Sequence, residues 1–197
     1  MKKVKILGIA LFAAALFVGN SSFAQDGKMK DEKMKEKTVM VGGAAMCPSK
    51  NIAENASQSA DHTTLVAAVK AAGLVDTLAG EGPFTVFAPT NAAFDALPEG
   101  TVASLLEPEN KEQLAGILTY HVVAGNYSAK DVKKLVTANN NKAIVPTVSG
   151  STITLSMDDG KVYVTDTSGN TAQVIIADVD QSNGVIHVVD GVLLPKG

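Results

Sequence analysis

Imidazole is the only side chain whose ordinary titration falls near neutral pH, so His62, His121 and His187 are the first candidates for chemistry in this 197-residue chain. Each stands in a different stretch. Convergence on a metal would have to come from three separate elements, with no His-Glu-x-x-His or paired-cysteine spacing to support it. His121 follows Tyr120 at the end of an amphipathic run, and His187 lies inside the valine-rich run Val185–Val189. Both are expected at the edge of a core, their ring nitrogens bonded to backbone or hydroxyl groups. Cys47 is the only cysteine, which rules out an intramolecular disulfide. Between Met46 and Pro48 it reads as a small buried hydrophobe, the alternative being a disulfide between two copies in an oxidising compartment. Asp158, Asp159 and Asp166 offer three carboxylates to calcium, short of the roughly six to eight oxygens it takes, and Asp159 has a turn to make. Asp178 and Asp180 flank Val179 near a strand end, either as edge charges that discourage strand addition or as a partner contact. There is no Gly-x-Ser-x-Gly elbow and no phosphate loop. The expectation is no catalytic residue, no metal and no cofactor.

Charge and leader narrow the class. Met1–Ala24 has a basic head (Lys2, Lys3, Lys5), an apolar run from Ile6 to Val18, and small residues in Ser22-Phe23-Ala24 where signal peptidase reads. The run is too short for a membrane span, so it reads as a secretory signal peptide. Cys47 lies too far downstream to be a lipoprotein cysteine. All 17 basic residues are lysine; removing three with the leader leaves 14 against 20 acidic residues, a net charge of −6. An acidic surface without arginine argues against nucleic acid and anionic membranes. The protein is therefore expected to be exported: periplasmic, cell-surface or secreted.

Residues 25–46 are expected to be a charged, flexible linker. Gln25–Lys37 carries dense mixed charge and too little apolar surface to fold, while Thr38–Ala45 is open to two readings, a flexible lead-in or an added edge strand. One domain is expected over 47–197. Its first half has helical spacing. Asp61 is placed to cap Leu65, Val66, Val69 and Ala72, and Gly73 stops that run. Leu74–Leu78 and Thr101–Leu106 are short helices, Leu114, Ile117, Leu118 and His121 form one face of a longer one, and Ser128 with Asp131 opens Ala129–Leu135. The second half alternates as strands over Ala143–Val148, Ser151–Met157, Lys161–Thr165, Gln173–Asp180, Val185–Val189 and Val192–Leu194, with Asp159-Gly160 and Asn183-Gly184 as turns. Helices gathered early and strands late make an α+β domain.

Two stretches carry more specific information. Gly82–Phe94 (GPFTVFAPTNAAF) runs from a turn through a buried strand to Pro89, with Thr90 or Asn91 capping a helix. Asn183–Pro195 (NGVIHVVDGVLLP) joins two strand-like runs across Asp190-Gly191. With Tyr120-His121 between them, the stretches resemble the first signature, tyrosine-histidine motif and second signature of the fasciclin domain, across about Pro48–Leu194. The resemblance implies a wedge-shaped β-sandwich with several helices packed on one end, without catalysis, acting in cell adhesion or extracellular matrix association. Its partner would be a cell-surface or matrix protein or a polysaccharide. It places partner contacts at Tyr120, His121, Asp178 and Val179, although Val179 replaces an isoleucine and Ala177 a frequent proline. Tyr120-His121 is equally open to a structural role. The alternative implied function is carriage of an apolar lipid or carotenoid-like pigment.

Overall fold

The computed structural model describes residues 38–196, so the expected signal peptide and most of the expected linker lie outside the described residues. In chain order the elements are β1 (Val39–Val41), β2 (Ala44–Met46), α1 (Ile52–Ala56), α2 (Thr63–Ala72), α3 (Val75–Ala79), β3 (Phe84–Pro89), α4 (Asn91–Asp95), α5 (Thr101–Leu105) and α6 (Lys111–Tyr120). There follow β4 (Val122–Ala124), α7 (Ala129–Ala138), β5 (Lys142–Pro146), β6 (Thr152–Asp158), β7 (Lys161–Thr165), β8 (Thr171–Gln181) and β9 (Gly184–Val189). No helix among the described residues is long and apolar enough to cross a membrane.

Seven strands form one mixed sheet in the order β4-β3-β9-β8-β7-β6-β5. β3 and β9 pair in parallel from Phe84↔Gly184 to Pro89↔Val189, so the two signature stretches lie side by side. β8 is long, and its register against β9 shifts between Val174 and Val179. Bulges of this kind bend a strand, and here β8 continues from its pairing with β7 into its pairing with β9. The two end strands then approach: the Val148 N–H donates to the Val122 carbonyl at 2.8 Å, so the sheet is nearly closed. This is the α+β architecture expected.

Strand alternation divides the core in two. Val86 and Ala88 of β3, with Ile186 and Val188 of β9, face a layer built from α1, α2 and α6. Phe87 and Val189 face the opposite way, into the sheet's interior with Val123, Ile153, Leu155, Val164 and Leu193. α7 closes that interior with Val132 and Val136. Each of the buried valine, leucine, isoleucine and phenylalanine side chains contributes about 1.5–3 kcal/mol.

Four expectations change. Residues 38–45 are neither lead-in nor edge of the main sheet: β1 and β2 form a separate hairpin across Gly42-Gly43, both at positive φ. Val41 and Met46 are 3% exposed in the helical core, so the packed domain starts ahead of Cys47 and the linker is shorter than 25–46. Val192–Leu194 is not a strand. Its side chains are buried as its pattern suggested, but its N–H groups find side-chain acceptors rather than a ladder: Leu193 donates to His121 Nε2 and Leu194 to Asp166 Oδ2, each at 3.0 Å. Asp61 does not cap α2. Asn91 does so from α4, accepting from the Thr64 N–H at 3.0 Å while donating to the Ala60 carbonyl at 2.8 Å. Thr90 caps α4 by accepting from the Ala93 N–H.

Candidate functional site

The β3–β9 pair and the elements packed on it hold the candidate residues. Tyr120, the last residue of α6, turns its ring into the interior core and its hydroxyl onto the sheet. The hydroxyl donates to the Thr152 carbonyl at 2.8 Å and accepts from the Thr167 N–H at 3.0 Å. His121 caps the end of α6. Because Leu193 N–H must donate to Nε2, the ring proton is on Nδ1, which donates to the Ile117 carbonyl at 2.8 Å. Burial lowers its pKa to about 4, opposed by that carbonyl and the Asp166 charge.

His187 carries the other tautomer. Its Nδ1 accepts from the Asp178 N–H at 3.3 Å and its Nε2–H donates to the Tyr127 carbonyl at 2.7 Å. The ring stacks on Phe87 with centroids 5.7 Å apart. Burial again lowers its pKa, against the Tyr127 carbonyl and the charges of Asp178 and Asp180. His62 bonds Ser59 Oγ through Nδ1 at 2.8 Å, and burial lowers its pKa too. Both ring nitrogens of His121 and of His187 are thus committed to main-chain partners. A neutral imidazole committed at both nitrogens positions backbone and has no free nitrogen for a substrate.

Of the four residues expected at a partner contact, Tyr120, His121 and Val179 are 0%, 3% and 1% exposed, and only Asp178 presents its side chain to solvent. Asp178 sits in the irregular part of β8 with φ at 57°, and its carboxylate accepts from the Ala129 N–H at the start of α7. Asp178 and Val179 lie within reach of His187 through β8–β9 pairing, whereas Tyr120-His121 anchors the C-terminal segment; the motifs form two anchors rather than one patch. Asp166 is a third, accepting from the Ser168, Asn170 and Leu194 N–H groups.

Sequence patterns did not reveal an apolar cleft on the helical side of the sheet. A cleft of about 410 Å³ opens between α1, α2 and α3, floored by Val86 and Ile186. Ala53 and Ala56 line one wall, and Val66 and Val69 the other. Glu54, Lys70 and Thr77 line it as exposed polar residues, and His121 lines it as a buried one. One signal in the sequence pointed here: Val66 adjoins Leu65, widening the apolar stripe of α2 beyond what the Leu65–Val69–Ala72 core contact uses. Small residues on α1 leave the space open. The start of α1 and the end of α3 are pinned by the Asn183 side chain, which accepts from the Ile52 N–H at 3.0 Å and donates to the Leu78 and Gly80 carbonyls at 2.8 Å.

The model of the fasciclin domain matches residues 60–195. The chain belongs to the fasciclin family. It is 51% identical over 167 residues to protein sll1483 of Synechocystis, covering 85% of this chain and 86% of that protein. It is 35% identical over 162 residues to the cell surface glycolipoprotein MPB83 of Mycobacterium bovis, covering 79% of this chain and 64% of that one. Among solved structures, a FAS1 domain pair from the insect cell adhesion molecule Fasciclin I superposes with a TM-score of 0.66 at 20% identity, covering 75% of this chain and 52% of that one. That likeness is one of fold. In this fasciclin domain the two signature stretches form the parallel strand pair of the sheet, and the tyrosine-histidine motif ties α6 to the sheet and to the C-terminal segment.

Proposed function

We propose that the protein is a non-catalytic binding protein of the cell exterior whose cleft carries an apolar small molecule, a lipid or a carotenoid-like pigment. The observation behind this reading is the cleft itself. Its volume lies within the roughly 300–1,000 Å³ of small-molecule sites, and its lining is mostly aliphatic and aromatic, with His121 as a buried polar residue whose ring nitrogens are already bonded. Water held against such walls finds few hydrogen-bond partners, so an apolar guest gains by displacing it. Export rests on the leader-like Met1–Ala24 and agrees with a relative named for the cell surface.

The test is a titration with Nile red, an apolar dye whose emission shifts in an apolar site. The chain is expected to bind it saturably, and Val66→Trp, which fills the cleft from one wall, to bind at least about tenfold more weakly with an unchanged melting temperature. Equal binding by both proteins would refute the reading.

A second reading, contact with a cell-surface or matrix protein or a polysaccharide in adhesion, is favoured by the exposure of Asp178 on an irregular strand segment near the half-exposed Ile175. In that reading Asp178 makes the contact, and Tyr120, His121 and Val179 hold the surface beneath it.

A further inference from the structure

We infer that the cleft is built for a single-chain amphiphile with an anionic head group, its tail between α1 and α2 and its head at Lys70. The inference rests on the carrier reading above and adds the class of guest. Lys70 lies on α2 one helical turn beyond Val66, and both line the cleft. Lys70 has no salt-bridge partner among the described residues, where Lys134–Asp131 is the one ion pair. Glu54, the other charged residue of the margin, is occupied: its carboxylate accepts from the Asn51 N–H at 2.9 Å, closing the capping box of α1.

The carbonyls at the end of α2 favour a cation in its last turn, where Lys70 stands exposed, and a lysine ammonium there keeps N–H donors for a carboxylate. A cleft of about 410 Å³ stands near the lower end of the roughly 300–1,000 Å³ range of small-molecule sites, which suits one acyl chain rather than two, and dodecanoate is a single-chain probe of that class.

Dodecanoate and dodecan-1-ol, which share a tail and differ in head charge, test this by calorimetric titration of the full mature chain. Dodecanoate should bind about tenfold more tightly than the alcohol, a margin expected of a charge-assisted hydrogen bond, and added salt should weaken the acid alone. Lys70→Gln, at an exposed position, should bring dodecanoate down to the alcohol's affinity and leave the alcohol unchanged. Val66→Trp should weaken both. Equal binding of acid and alcohol, indifferent to Lys70→Gln, would overturn the head-group inference and leave the carrier reading standing. Failure of both ligands and of Nile red to bind would overturn the two together.

Discussion

Lowering the pH from about 7 to about 4 is expected to remove at least about 3 kcal/mol of folding stability through the histidines alone. An unfolded imidazole takes up its proton near 6.5. Folded His121 does so only near about 4, because burial disfavours the imidazolium and Nε2 already accepts from the Leu193 N–H. Between those values the unfolded chain binds more protons than the folded one, so stability falls as the pH falls, from about 6.5 downward. The gap corresponds to roughly 3 kcal/mol for His121. His62 and His187 are lowered by burial as well and act in the same direction. For a domain of this size the melting temperature should drop by about 10 °C or more. The check is calorimetry across this range, with imidazole NMR on the folded protein: His121 should stay neutral at about pH 5. A melting temperature flat to pH 5 would mean that the rings are not held as described.

Replacing Gly184 by alanine should cost about 3 kcal/mol or more, measured as the shift of the urea midpoint. Gly184 opens β9 opposite Phe84, and a Cβ there would overlap the Phe84 carbonyl. The obstruction is backbone on the partner strand, which cannot swing aside as a side chain would. Moving it breaks the parallel pairing of the two signature strands and displaces the Asn183 amide that fixes the start of α1 and the end of α3, so the cleft should loosen too. Gly116→Ala is the matched control. It lies inside α6 with nothing within 4 Å of the new methyl group, and alanine there should stabilise by about 0.5–1 kcal/mol. Equal small effects at both positions would refute the register argument.

What the sequence disclosed was burial and local turn chemistry. Leu65, Val69 and Ala72 mark the inner face of α2, Asp159-Gly160 turns β6 into β7, and Thr90 caps α4, all from patterns spanning a few residues. Partners distant in sequence were not legible. Val192–Leu194 has the alternation of a strand, yet its N–H groups go to His121 and Asp166, and nothing in three apolar residues distinguishes a ladder from two side-chain acceptors. The capping of α2 came from Asn91, 27 residues beyond Thr64, rather than from the adjacent Asp61. The strand Val122–Ala124 is too short, at three residues, to show a period in the sequence. The motif resemblance located Tyr120, His121 and Val179 without saying that they point inward. The cleft was hidden for a related reason: it is defined by what small side chains on α1 leave unfilled against α2 and α3.

Native mass spectrometry with an absorption spectrum, on mature protein purified from its own host's envelope, tests the binding function most directly. A single-chain lipid or a chromophore retained at one per chain, and absent from Val66→Trp prepared the same way, is the expected result. A bare, colourless mass from both preparations would contradict it.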